Sequence, residues 1–385
     1  MSVALVIAAI GVATWIYLLL ARGFFWLMRE RDDRDLPPEP LAWPHVVAVV
    51  PARNEADVIA QSVSHLVGQD YPGSLRVVVV DDNSDDGTGA RATATAAEIG
   101  RAERLTVISG RPLAKGWTGK LWAVSQGVEI ASADAPTWLW ITDADIAHDP
   151  QTLRRLVARG EARGLTLVSL MARLQTGTWP ERLLIPAFVF FFDMLFPFAW
   201  VNDPKRKVAG AAGGCMLVRR EALEAAGGIA SIRAEIIDDC ALGARLKARG
   251  PIWLGLTRTS VSLRPYRTLG EIGRMVSRSA YAQLNYSPWL LAGTVLGMVL
   301  IYLAGPVLAV TGPGAARWLG LAVWGMMAIS FQPMLRYYRC SPLWGLALPL
   351  IGALYTLFTL QSAIQVWRGK GGMWKGRSQA QAAQA

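Results

Sequence analysis

The sequence predicts an α/β domain, a mostly parallel sheet covered by helices on both faces, held between long apolar stretches near the two ends of the chain. Three observations predict it. Strand-like and helix-like runs alternate from residue 46 to residue 163. The strand-like runs are continuously apolar, as strands buried on both faces are. Two of them run straight into carboxylates: Val77-Val78-Val79-Val80 into Asp81-Asp82, and Trp138-Leu139-Trp140-Ile141-Thr142 into Asp143-Ala144-Asp145.

Val3 to Ala21 carries no charge. At about 1.5 Å rise per residue, such a stretch nearly crosses a hydrocarbon layer of roughly 30 Å. Met1-Ser2-Val3 holds no basic side chain, no small-residue cleavage site follows, and Arg22, Arg29, Arg31 and Arg34 come after it. Residues 1–28 therefore read as an uncleaved membrane anchor with the next domain in the cytosol.

Within the globular part, residues 40–285, Val46 to Val50 is the first strand and Asp57 to Gln69 the first helix. Leu75 to Val80 is a strand, and Asp85-Asp86-Gly87 is a turn starting a helix to Ile99. Leu105 to Ser109 is a third strand. Lys120 to Ala131 places Leu121, Val124 and Val128 at helical spacing. Trp138 to Thr142 is a fourth strand. Asp149-Pro150 offers a cap and first-turn proline for a helix to about Arg163, and Asp57 reads as another cap. Ala241 to Lys247 reads as helix. Such alternation predicts helices covering a parallel sheet. Within this domain, residues 183–201 are Phe-rich but interrupted by Pro186, Asp193 and Pro197, the pattern of an interfacial or re-entrant element.

Trp289 to Val310, Trp318 to Leu335 and Leu343 to Trp367 are again uncharged. Residues 286–368 read as a membrane bundle of about three helices, followed by a basic tail at 369–385. Three crossings place the tail opposite the catalytic domain, whereas its Arg368, Lys370, Lys375 and Arg377 favour the cytosol. Either one apolar stretch does not span, or another membrane-embedded stretch lies elsewhere.

Composition agrees with a membrane protein: of 385 residues 52% are hydrophobic and 18% charged. The net charge of +10 does not point to nucleic acid, because many basic residues flank apolar spans and no nucleic-acid-binding motif is present. Cys215, Cys240 and Cys340 have no metal spacing and fit a reducing compartment. With three histidines, no Ser-His-Asp or Cys-His set is apparent.

In open α/β sheets, ligands sit outside the carboxyl ends of the strands. Glu55, Asp81, Asp82, Asp143 and Asp145 are expected there. Five carboxylates on one edge repel one another unless a cation joins them, and a divalent Mg or Mn ion carrying a diphosphate meets that need. Asp143 and Asp145 are the first candidates for the metal, with His148 a further one.

These motifs in order, Pro51-Ala52-Arg53-Asn54-Glu55, Val80-Asp81-Asp82-Asn83-Ser84-Asp85-Asp86-Gly87-Thr88, Gly119-Lys120 and Asp143-Ala144-Asp145, resemble family-2 glycosyltransferases of the Rossmann-like GT-A fold, over residues 44–285. Ala209 to Arg220, Ile236 to Cys240 and Trp253 to Thr257 look like the hopanoid-biosynthesis-associated branch, close to ceramide glucosyltransferase-like enzymes. The resemblance implies a nucleotide-sugar site holding Pro51, Arg53, Glu55, Asp81, Asp82, Lys120, Asp143 and Arg278. It implies Asp145 as the more direct metal ligand, Asp239 of the pair Asp238-Asp239 as catalytic base, and Gly213 and Gly214 facing the acceptor. Arg278 stands for the arginine of the family's QxxRW-type motif, but the frame Met275-Val276-Ser277-Arg278-Ser279 lacks its Gln and Trp. That departure argues against a processive polymer synthase.

The expected activity is a membrane-anchored, metal-dependent, inverting transfer of a sugar from a nucleotide sugar to a lipid acceptor. Its location is the inner membrane, with several passes and the catalytic domain facing the cytosol. Weighed beside it are transfer to a polyprenyl phosphate, exopolysaccharide synthesis, a nucleotidyltransferase and a noncatalytic nucleotide-sugar-binding scaffold.

Overall fold

The computed structural model describes residues 2–375 and 377–378. They divide into two units. One holds the chain through Arg29, Thr176–Ala199 and Pro265–Gly372; the other holds Glu30–Gln175, Trp200–Arg264 and the segment from Met373.

Among the described residues, the second unit has one eight-stranded sheet. Its strands are β1 (Val46–Ala52), β2 (Leu75–Asp81), β3 (Leu105–Ser109), β4 (Trp138–Ile141), β5 (Ile146–His148), β6 (Leu167–Arg173), β7 (Met216–Arg219) and β8 (Ile252–Ser262). Their order is β3-β2-β1-β4-β7-β6-β8-β5. β1 pairs in parallel with β2 and β4, and β2 with β3. β7 is antiparallel to β4 and β6; β8 is parallel to β6 and antiparallel to β5. Val46 to Val50 are fully buried, which explains their unbroken apolar run: each of the four valines stabilises the sheet by about 1.5–3 kcal/mol.

The parallel register decides where the carboxylates go. Ala52 stands opposite Asp81, and Val49 opposite Ile141, so β1, β2 and β4 end along one edge. The helices expected over the sheet are Ile59–Val67, Thr88–Glu98, Gly119–Ser132 and Thr152–Ala162. The helix expected to start at Asp149-Pro150 starts later. Asp149 accepts amides from Gln151 and Thr152, so it closes the turn before the helix rather than capping it.

In the other unit, four helices among the described residues are long and apolar enough to cross a membrane: Val3–Leu20, Pro288–Thr311, Ala315–Tyr338 and Pro342–Trp367. Small residues let them approach. A Cβ on Gly305 would stand 2.4 Å from Val323 Cγ1, and one on Gly320 2.6 Å from the Ala309 amide nitrogen. Val3–Leu20 packs against both partners, with Gly11 on Val323 and the Trp15 indole donating to the Ile301 carbonyl at 3.0 Å.

The last of the four changes direction within itself. Its first turns, Pro342–Ala347, lie back along the preceding helix: Gln332 donates to the Pro342 carbonyl at 3.1 Å, and the Trp324 indole to the Leu346 carbonyl at 3.0 Å. The remainder, Leu348–Trp367, then runs antiparallel to Pro288–Thr311. Gly352 lies against Tyr302, and Ala363 clusters with Leu291. The helix Trp179–Leu195 covers most of the Phe-rich stretch. Thr178 and Glu181 cap it reciprocally, Phe190 stacks on Phe25 and Phe331, and Phe191 on Tyr302 and Tyr355.

Candidate active site

The site is built where β1, β2 and β4 stop. After β2, Asp81 turns back on its own loop, accepting from the amides of Ser84 (3.0 Å) and Gly89 (3.1 Å). It holds the loop that starts the next helix. Asp82 is fully buried; its amide donates to the Ala52 carbonyl at 2.8 Å, joining the ends of β1 and β2. Arg53 lies over this junction, donating to the carbonyls of Asp82 and Asn83, with its Nη1 3.9 Å from the Asp82 carboxylate. Pro51 stays within β1, paired with Val80.

After β4, Asp143 and Asp145 are held by different cations. Lys120, in the first turn of the Gly119–Ser132 helix, reaches Asp143 at 2.9 Å and Asp238 at 3.2 Å. Burial opposes the charge on Lys120, but Asp143 and Asp238 outweigh it and hold the ammonium above its ordinary range. Asp145 pairs instead with Arg264, two residues past the end of β8, at 3.0 Å. The same guanidinium reaches Glu55 at 2.7 Å. Glu55 also takes Lys375 at 2.8 Å, and Lys375 donates to the Asn54 carbonyl at 3.0 Å. Burial raises the Glu55 carboxyl against the pull of these two cations.

Asp239 is the second residue of the helix Asp238–Lys247. Its carboxylate accepts the Gly213 amide at 2.9 Å and the Cys240 amide at 2.8 Å. A Cβ on Gly213 would lie 3.2 Å from Lys120 Nζ and 3.5 Å from Asp239 Oδ2, so a glycine lets the loop close over this pair. The Gly214 carbonyl accepts from the Thr142 hydroxyl at 2.8 Å. Burial and the charge of Asp238 push the Asp239 carboxyl up to about 6, although Lys120 and the two amides pull it down. A carboxylate in this range suits proton transfer near neutral pH.

The structure thus gathers two sets at this edge: Glu55, Arg264, Asp145 and Lys375 in one, and Lys120, Asp143 and Asp238 in the other, with Asp239 on Gly213 beside it. Asp143 and Asp145, two residues apart, bring the sets together, and Asp82 and Arg53 lie at the neighbouring strand ends. His148 takes another position. It is fully buried, with Nε2 2.9 Å from the Thr142 hydroxyl, Nδ1 2.8 Å from the Ser260 hydroxyl and its ring against Trp140. Burial pushes this imidazole down to about 3, so it is neutral, and both ring nitrogens are engaged. Arg278 caps the helix Leu269–Ser277 in the helical unit.

Among the described residues, no group of three or more His, Cys, Asp or Glu side chains is arranged to hold a metal. The pair Asp143 and Asp145 still fits one. Mg and Mn keep several waters and bind through one or two carboxylates plus substrate phosphates. Arg264 and Lys375 were not legible as site residues. Arg264 follows the strand Ile252–Ser262 by two residues, but the polar Thr257 to Ser260 that interrupt its apolar run hide that strand end in the sequence; Lys375 lies in a tail whose charge reads as a membrane-surface feature.

Residues 47–227 match the model of the family described as Glycosyl transferase family 2. No curated protein matches the chain. Among solved structures, the mannosyltransferase PcManGT from Pyrobaculum calidifontis in complex with GDP-Man and Mn2+ is similar in fold. Identity is 21%, coverage 92% of this chain and 99% of that one, and the TM-score 0.57. Glucosyl-3-phosphoglycerate synthase from Mycobacterium tuberculosis in complex with Mg2+ and UDP is 21% identical, with coverage of 63% and 79% and a TM-score of 0.42. The sheet order, the acidic strand ends and the family match lead to one conclusion: residues 47–227 are a glycosyl transferase family 2 domain of GT-A-like fold, and the chain is an enzyme of the glycosyltransferase type.

Proposed function

We propose that this enzyme is a membrane-anchored, metal-dependent, inverting glycosyltransferase that moves a sugar from a nucleotide sugar to the hydroxyl of a lipid. The observation that supports this reading is the pair of neighbouring charge clusters at the ends of the strands, Glu55 and Asp145 on Arg264, and Asp143 and Asp238 on Lys120 with Asp239 beside them. Asp143 and Asp145 would hold a divalent Mg or Mn ion, which would supply charge neutralisation to a leaving diphosphate. Arg53, Glu55 and Asp82 line the nucleotide end, with Asp81 fixing their loop. Asp239 takes the proton of the acceptor hydroxyl, and direct attack by that hydroxyl inverts the anomeric centre. Lys120 holds Asp143 and Asp238 in register and keeps Asp239 ionised. Gly213 and Gly214 leave room on the acceptor side.

The lipid acceptor is supported by the four apolar helices. Trp289, Trp318 and Trp367, near the ends of three of them, are exposed, as interfacial tryptophans are. UDP-sugar is the donor favoured by the resemblance, and a hopanoid or related polyisoprenoid or sphingolipid-like alcohol the acceptor.

A last apolar segment that enters the membrane and turns back would remove the conflict over the tail. Val3–Leu20, Pro288–Thr311 and Ala315–Tyr338 cross the inner membrane, while Pro342–Trp367 enters and returns to the side it came from. The contacts of Pro342 and Leu346 with the preceding helix, and of Ala363 with Leu291, support this. The tail then lies on the cytosolic side, and the pairing of Lys375 with Glu55 supports this reading.

Mass spectrometry of membrane lipids from cells with and without the chain tests the function. The expected result is one lipid class that carries a single hexose-sized mass only when the chain is present. An unchanged lipid profile, or a polymer as the only product, overturns the lipid acceptor.

A further inference from the structure

We propose that Arg264 and Lys375 are the residues that grip the donor diphosphate, so that the C-terminal tail is a working part of the donor site. The proposal rests on the nucleotide-sugar reading above and names residues that neither the sequence motifs nor the family match assigns.

Glu55, whose side chain is 11% exposed, holds two cations at once: Arg264 at 2.7 Å and Lys375 at 2.8 Å. One carboxylate balances one of them. The other is balanced only because Arg264 forks, its Nη2 on Glu55 and its Nε on Asp145. The four groups sum to zero charge. A divalent ion on Asp145 would repel Arg264 from that carboxylate and bring these four groups to a net charge of two positive. The diphosphate of a nucleotide sugar carries two negative charges. The set is neutral before donor and metal arrive, and neutral again when both are bound.

Lys120 lies between Asp143 and Asp238, on the side of Gly213 and the proposed base Asp239 rather than beside Glu55. Arg278 stands in a frame that lacks the flanking residues of the family's gripping motif. Arg264 has the planar fork suited to phosphate oxygens, and Lys375 supplies a point charge beside it.

Met373–Trp374 and Arg377–Ser378 pair as a short antiparallel hairpin, and Lys375 lies in its turn with φ of 44°. A lysine rarely adopts this left-handed conformation, and strain of this kind collects at ligand-gripping positions. Here it aims the ammonium at Glu55 and the Asn54 carbonyl.

The test is calorimetric binding to the full chain in nanodiscs with Mn2+ present, using UDP and GDP, then uridine and guanosine. Lys375→Gln and Arg264→Gln should each weaken nucleoside diphosphate binding about tenfold or more, the loss expected of one charge-assisted contact. Binding of the phosphate-free nucleosides should not change. Lys375→Arg should restore most of the lost affinity. Lys375 follows the last helix, so its variants test the proposal even if Arg264→Gln fails to fold. Native diphosphate affinity in Lys375→Gln overturns the tail's role, and an equal loss for nucleosides reduces both residues to structural supports. A native chain that binds neither UDP nor GDP overturns the nucleotide-sugar reading itself, and this proposal with it.

Discussion

The Asp239 carboxylate accepts the Gly213 amide at 2.9 Å, and this bond ties the first turn of one helix to the loop that precedes β7. It fixes one carboxylate oxygen. The other accepts the Cys240 amide, so the group is oriented from both sides within its buried setting.

Asp239→Asn keeps the shape and removes the base. We expect turnover to fall by about 100- to 10,000-fold, with donor binding close to native. The native enzyme should lose activity as pH falls through about 6, because the raised carboxyl is then protonated and cannot accept the hydroxyl proton. Initial rates from pH 5 to 8 check this; a flat profile speaks against Asp239 as the base.

Lys120→Met should move that acid limb upward in pH. Lys120 lowers the Asp239 carboxyl, so removing its charge raises it further. Turnover at neutral pH should fall while the rate at high pH recovers in part. A limb that stays in place would show that Lys120 does not set the base.

His148→Ala separates a structural histidine from a metal ligand. The imidazole bridges the buried hydroxyls of Thr142 and Ser260, so its loss should cost about 2–4 kcal/mol of stability through a cavity and unpaired hydroxyls. Mn2+ affinity of the folded fraction should not change. Asp145→Asn should do the reverse, abolishing metal stimulation with little effect on melting.

The membrane path can be checked with single cysteines at Ala315 and Ser341 in a chain whose native cysteines are replaced. An impermeant thiol reagent outside intact cells should label Ala315→Cys and spare Ser341→Cys, because one full crossing separates them. A cysteine placed after Trp367 should also be spared if Pro342–Trp367 turns back; labelling there would make that segment a crossing helix.

The first half of the sheet was legible because β1 to β4 are continuous apolar runs separated by single helices, a pattern that local sequence carries. The second half was not. Leu167–Arg173, Met216–Arg219 and Ile252–Ser262 are separated by long segments, and the antiparallel β7 follows no strand-helix alternation. Glu55, Asp81, Asp82, Asp143 and Asp145 were legible because strands deliver them to an edge; Asp238 and Asp239, in the first turn of a helix, were expected only from the resemblance. Arg264 and Lys375 were not, since their partners lie 209 residues away in one case and more than 300 in the other. The position of His148 was read one step short: a polar residue after a strand looks like a ligand until β8 supplies Ser260 as its partner.

The most direct test is the structure of the chain with Mn2+ and UDP, read by anomalous scattering from the manganese. The account predicts one manganese peak at Asp145, with Arg264 turned from that carboxylate to the diphosphate. A manganese bound away from the ends of β1, β2 and β4, or an Arg264–Asp145 pair left intact beside bound UDP, would contradict it.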